Sequence, residues 1–165
     1  MDAATPHLRV PLPTRRATRR LGAALGGALA SGDLIVLEGG LGAGKTFLVR
    51  AIARALGVEP HIPVTSPTFA LVHELPARVP LVHADLYRLR SVDELLELGL
   101  VDRIGHDAVV LVEWGERFLQ SLGRDGVLIR LGADAAGVRN AELEALGIRG
   151  ASILVAVREA LARRR

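Results

Sequence analysis

The chain has 165 residues, 21 basic and 18 acidic, with half of all residues hydrophobic but only 3% aromatic, so it suits one domain whose core is built from Leu, Val, Ala and Ile. The absence of cysteine excludes disulfides, thiolate metal sites and a thiol nucleophile. A net charge of +3 with scattered arginines leaves no strong electrostatic footprint for nucleic acid, and no stretch is apolar enough to span a membrane.

Residues 1–7 read as a loose tail, and "LRVPLP" as a short extended segment limited by its prolines. The next stretch, "RRATRRLGAALGGALASG", shares paired arginines and a cleavable-looking Ala-Leu-Ala with twin-arginine export signals. A helix from an N-cap at Thr14 to Ala30, with Leu21, Leu25 and Ala28 on one face, accounts for the same residues. A buried strand is expected at "LIVLE" (34–38), then a glycine loop, then a helix from Lys45 to about Leu56 that Gly57 ends. "HIPVTSPTF" (61–69) reads as a loop. "ALVHEL" (70–75) and "PLVHADL" (80–86) read as strands around a turn near Pro76 to Arg78. Ser91-Val92-Asp93-Glu94 is a capping box that opens a short helix stopped by Gly99. "AVVLVEW" (108–114) is a continuous apolar strand, "GVLIRL" (126–131) and "RNAELEAL" (139–146) are further strands, and an amphipathic helix closes the chain from about 151 to 163. Apolar strands alternating with helices predict an α/β fold with a mainly parallel sheet covered on both faces, and the pair around Pro76 adds an antiparallel element. A single domain over residues 1–165 is expected.

The chemistry concentrates in "GGLGAGKT". Gly39, Gly42, Gly44, Lys45 and Thr46 sit in a run that fits G-x-x-x-x-G-K-[ST] at every fixed position, between the expected strand and helix. Glycines let successive backbone N–H groups turn inward on phosphate oxygens, and the helix start adds its positive end. Lys45 is the only lysine in the chain. A compact ammonium reaches the β- and γ-phosphates where a planar guanidinium would not fit, and Thr46 offers a hydroxyl to Mg2+. Such a loop needs a carboxylate at the end of a neighbouring strand. Val109 to Val112 followed by Glu113 supplies one, and Leu81 to Ala84 followed by Asp85 supplies another. Glu113 is assigned to the metal and Asp85 to the γ-phosphate side, as orienter of an attacking water or acceptor hydroxyl. His83 and Asp85 share a strand face and offer two metal ligands, but with no third ligand nearby a packed or hydrogen-bonded histidine accounts for them better. Ser66 with the histidines lacks a G-x-S-x-G elbow and is set aside as a hydrolase site.

With "GGLGAGKT", "TSPTF", "HADLYRL" and "LVEWGER" in this order and spacing, the chain resembles the TsaE (YjeE) family from about Pro11 to Gly147. These are small bacterial P-loop ATPases of tRNA threonylcarbamoyladenosine synthesis. The resemblance implies a P-loop NTPase-type fold in which Gly42, Ala43, Gly44, Lys45 and Thr46 hold the phosphates of ATP, Thr46 and Glu113 ligate Mg2+, and Asp85 is catalytic. It implies a switch-like segment of Thr65, Ser66, Pro67 and Thr68 near the γ-phosphate, and Trp114 beside the metal site. It also places the adenine near the stretch from Arg15 to Thr18 and near Arg139. The family acts in the cytoplasm with TsaB and TsaD on adenosine 37 of tRNAs that read codons beginning with A, so the tRNA contact of this chain itself is expected to be indirect or weak. Two positions depart from the family. Gly40 stands where it usually has Asp, and Val138-Arg139 where it tends to have Gly-Arg. The glycine loop alone equally permits a small-molecule kinase, against which no arginine-rich lid segment is read between the two carboxylates, or a nucleotide-gated binding module.

Overall fold

The computed structural model describes residues 6–163. Among the described residues the order is β1 (His7–Pro11), α1 (Arg15–Ala28), β2 (Leu34–Glu38), α2 (Lys45–Ala55), β3 (Val72–Leu75), β4 (Leu81–Asp85), α3 (Val92–Glu97), β5 (Val109–Glu113), α4 (Leu119–Leu122), β6 (Val127–Ala133), β7 (Arg139–Ala145) and α5 (Ile148–Arg163). One sheet holds the strands in the order β1-β7-β6-β2-β5-β4-β3. The central strands β6, β2, β5 and β4 are parallel, whereas β3 on one edge and β7 and β1 on the other add antiparallel pairs. The expected parallel sheet forms the centre, and three antiparallel pairs flank it where the sequence predicts only the one at the Pro76 turn. Residues 134–138 join β6 to β7 in a turn too short for a crossover helix, pinned by the Asp134 carboxylate accepting from Ala136 and Val138 N–H at 2.9 Å each.

The central strands are apolar throughout because both faces are covered. Ile35, Leu37, Val109 and Leu111 point into a layer with α1, α2 and α5. Leu34, Val36, Val110 and Val112 point into the opposite layer with Leu86, Leu95, Leu100 and Phe118. In α1, Thr14 Oγ1 caps the helix by accepting from Ala17 N–H at 3.1 Å, and Leu21 and Leu25 are buried. The small residues that resemble a signal peptide are a crossing surface. A Cβ built on Gly22 would lie 2.3 Å from Ala51 Cβ, and one on Gly26 2.5 Å from Ala55 Cβ, so glycine is what lets α1 press onto α2.

Several boundaries shift for local reasons. The helix α1 ends at Ala28 rather than Ala30, whose N–H is taken by Asp33 Oδ2 at 2.8 Å. His7 belongs to β1 rather than to a tail, and Pro6 O accepts from Ala145 N–H at 3.0 Å; positions 1–5 of that expected tail lie outside the described residues. The Ser91 cap forms, with Glu94 N–H donating to Ser91 Oγ at 3.2 Å, but Glu94 Oε2 accepts from Arg90 N–H instead of from Ser91. The last helix begins three residues before 151, because Asp125 accepts from Arg149 N–H at 3.2 Å and from Gly150 N–H at 3.0 Å. No helix among the described residues is long and apolar enough to cross a membrane.

Candidate nucleotide site

Strand β2 ends at Glu38, the chain turns through the glycine loop, and α2 starts at Lys45. Left-handed backbone at Gly42 (φ +76°) and Gly44 (φ +105°) makes that turn possible, a region that side chains rarely adopt. Gly39 is also required by space, since a Cβ there would stand 2.5 Å from Leu131 O. Gly40 is different: a Cβ would meet nothing within 4 Å, so the loop has room for a side chain at this position. Lys45 is buried, and its ammonium donates to Gly39 O and, at 3.1 Å, to Gly40 O, with the Trp114 ring 3.8 Å from Nζ. Burial lowers its pKa from 10.5, while Glu113, Glu38 and Asp85 pull it upward. Trp114 reaches this position through left-handed backbone of its own (φ +59°), unusual for a bulky residue, with its N–H donating to Leu37 O at 2.9 Å.

The two carboxylates lie side by side at the carboxyl edge of the sheet, where Asp85 at the end of β4 is the register partner of Glu113 at the end of β5. They have different partners. Thr46 Oγ1 donates to Glu113, 2.9 Å from Oε1 and 3.0 Å from Oε2, whereas Asp85 Oδ2 accepts from Ser66 Oγ and Oδ1 from Tyr87 N–H at 3.0 Å. A hollow of about 450 Å³ is lined by Gly42, Gly44, Lys45, Thr46, Ser66, Thr68, Asp85, Glu113 and Trp114, which joins the glycine loop to both acids and to the hydroxyls of the 65–69 segment. Ala43 and Gly44 also line a second hollow of about 510 Å³ with Arg15, Thr18, Val138 and Arg139. The loop therefore separates two compartments, one acidic and hydroxyl-rich, the other bounded by the two arginines and Phe47. Thr46 and Glu113 are hard oxygen donors already within bonding distance of each other, which suits Mg2+ sharing its remaining positions with phosphates and water. No group of three potential side-chain ligands among the described residues forms a metal cage by itself.

Two features escape a reading of local sequence. His83 is the packed, hydrogen-bonded histidine expected, but with a partner on another strand: it is fully buried, its Nε2 lies 2.8 Å from Glu113 Oε1, and its Nδ1 is buried without a hydrogen-bond partner among the described residues. One oxygen of Glu113 is thus shared by His83 and Thr46. The apolar context of "LVHAD" gives no hint of this, because the partner lies on the neighbouring strand. The second is Arg88, which lines the acidic hollow between the two carboxylates in sequence. Its place in "DLYRL", three residues after Asp85, is the signal that marks it.

A strand, glycine loop and helix carrying one lysine, with carboxylates at the ends of two neighbouring parallel strands, define a domain of the P-loop NTPase-type fold. The model of the threonylcarbamoyl adenosine biosynthesis protein TsaE family matches residues 12–141, and this chain belongs to that family. The tRNA threonylcarbamoyladenosine biosynthesis protein TsaE of Mycobacterium tuberculosis is 45% identical over 129 residues, covering 73% of this chain and 76% of that one. The protein of the same name from Streptomyces coelicolor is 42% identical over 147 residues, covering 84% and 97%, and that from Treponema pallidum 38% over 122 residues, covering 74% and 89%. A crystal structure of Bacillus subtilis YdiB is similar with a TM-score of 0.73 and 26% identity, over 99% of this chain and 100% of that one.

Proposed function

We propose that this chain is a Mg2+-dependent ATPase of the cytoplasmic assembly that makes N6-threonylcarbamoyladenosine at position 37 of tRNAs reading codons beginning with A. It would work with TsaB- and TsaD-type partners and touch tRNA indirectly or weakly. The observation that carries the reading is the set facing one hollow: Lys45 in the glycine loop, Thr46 bonded to Glu113, and Asp85 bonded to Ser66. The triphosphate lies along the loop N–H groups, with the adenine in the second hollow between Arg15 and Arg139. Lys45 turns from the Gly39 and Gly40 carbonyls to the β- and γ-phosphates. Thr46 and Glu113 would hold Mg2+, which supplies charge neutralisation between those phosphates when bound. Asp85 accepts a hydrogen bond from the attacking water and orients it in line with the γ-phosphorus. Ser66 and Thr68 offer hydroxyls to the γ-phosphate, so the 65–69 segment orders with ATP and loosens with ADP, which makes it a natural contact for partners.

Thin-layer analysis of labelled ATP tests this. Phosphate released without an acceptor, dependent on Mg2+ and faster with the TsaB–TsaD pair, is the expected result. A new phosphorylated product would instead identify a small-molecule kinase, and co-purification with nucleotide but no turnover a nucleotide-gated binding module.

A further inference from the structure

We propose that Arg88 is an arginine supplied in cis to the γ-phosphate, stabilising the charge that spreads over the transferring phosphoryl group. The inference rests on the ATPase reading above and adds a catalytic residue to it. The hollow that carries Lys45 and Thr46 also presents two carboxylates, Asp85 and Glu113. A triphosphate brought against them leaves a net negative charge even with the Lys45 ammonium and a Mg2+ at Thr46 and Glu113, and Arg88 is the guanidinium lining that hollow. Other arginines nearby are committed elsewhere. Arg130 is paired with Glu116 at 2.6 Å and Glu144 at 2.7 Å, and Arg15 and Arg139 face the other compartment.

The backbone beneath Arg88 is fixed, while its guanidinium is held only over an exposed ring. The Arg117 guanidinium donates to Leu86 O at 2.8 Å, to Tyr87 O at 3.3 Å and to Leu89 O, so it clamps the chain on both sides of residue 88. Tyr87 N–H is tied in turn to Asp85. Arg88 itself has no carboxylate partner among the described residues, and its Cζ rests 4.9 Å from the centroid of Phe69, a ring 87% exposed to solvent. Phe69 closes the segment that carries Ser66 and Thr68. Ordering of that segment on ATP therefore carries a cation–π-held guanidinium toward the γ-phosphate together with the hydroxyls. In the step, the water oxygen bonds to the γ-phosphorus as the bond from γ-phosphorus to the β–γ bridging oxygen breaks, its electron pair leaving on ADP, and the proton of the water that Asp85 orients passes to an oxygen of the phosphate released. Arg88 donates N–H bonds to the equatorial oxygens and loses no proton.

The test compares the full-length chain with Arg88→Ala and Arg88→Lys, using single-turnover hydrolysis, binding of a non-hydrolysable ATP analogue, and capture of ADP with aluminium fluoride and Mg2+, a mimic of the phosphoryl group in flight. Arg88→Ala should bind the analogue and ADP within about 3-fold of wild type, hydrolyse on the order of 10³-fold more slowly, and lose aluminium fluoride capture. Arg88→Lys should bind equally and recover little capture, because a point charge does not reproduce the fork. If Arg88→Ala captures ADP–aluminium fluoride as tightly as wild type, Arg88 has no such role. A wild-type chain that binds ATP yet neither hydrolyses it nor captures the mimic overturns the ATPase reading itself, and this inference with it.

Discussion

Alanine at Gly22 and alanine at Gly27, five residues apart on α1, should move stability in opposite directions. A methyl at Gly22 would sit 2.3 Å from Ala51 Cβ and 2.9 Å from the Ala51 carbonyl carbon. Carbon atoms in contact prefer about 3.5–4 Å, and neither neighbour can rotate away, so α1 and α2 must part by on the order of 1 Å. Approaches this close to atoms that cannot move put the overpacking in the upper part of its usual range, about 2–3 kcal/mol, of which the better helix propensity of alanine returns about 1 kcal/mol. The net loss of about 1–2 kcal/mol corresponds to a melting temperature lower by roughly 2–8 °C for a domain of this size. At Gly27 the added Cβ meets nothing within 4 Å, so only the propensity gain remains, about 0.5–1 kcal/mol, and the protein should melt slightly higher. The pair also separates packing from function, because α2 begins with Lys45 and Thr46. Pushing α2 outward should weaken ATP binding in Gly22→Ala and leave it unchanged in Gly27→Ala. Thermal melts followed by circular dichroism, with calorimetric titration of ATP, decide it. A Gly22→Ala protein as stable as wild type, or a Gly27→Ala protein less stable, would refute the close helix crossing.

Lys45→Ala should abolish hydrolysis and weaken ATP binding, and Lys45→Arg should rescue poorly in the same assays, since the space between the two glycine carbonyls and the Trp114 ring fits an ammonium; a fully active arginine variant contradicts this. Glu113→Gln should raise the Mg2+ concentration needed for tight nucleotide binding, whereas Asp85→Asn should spare binding and slow hydrolysis by roughly 10²-fold or more. Mg2+ titrations with the opposite pattern would mean that the two carboxylates exchange roles. His83→Phe keeps a ring in the buried site but removes one of the two partners of Glu113 Oε1, and should raise the Mg2+ requirement on the order of 10-fold while binding of metal-free nucleotide stays as in wild type. An unchanged Mg2+ titration would show that Thr46 alone suffices to orient Glu113.

The glycine loop, its lysine and the elements on either side are readable from the chain because their physics is local. A run of four aliphatics needs burial on both faces, the loop needs backbone that only glycine adopts freely, and a helix start needs to be next in sequence. The acids at Asp85 and Glu113 are readable for the same reason, since a strand delivers its last residue to the sheet edge wherever that strand sits. Which acid meets Thr46 and which meets Ser66 depends on the order β2-β5-β4, and nothing in either strand encodes its neighbour. The same holds for His83, whose partner is on β5, for Asp125, which meets the start of α5 only because Val127 of β6 pairs with Ala145 of β7, and for β7, whose pairing with both β6 and β1 makes that edge antiparallel. Arg88 lies in a turn and Arg117 in a short 3-10 helix, and only folding makes Arg117 a clamp on three carbonyls and sets the Arg88 guanidinium over Phe69 at the site. Local sequence determines what backbone a segment can adopt, but a hydrogen bond or an ion pair belongs to whichever groups the packed sheet brings within about 3 Å, and that is decided only when the layers close.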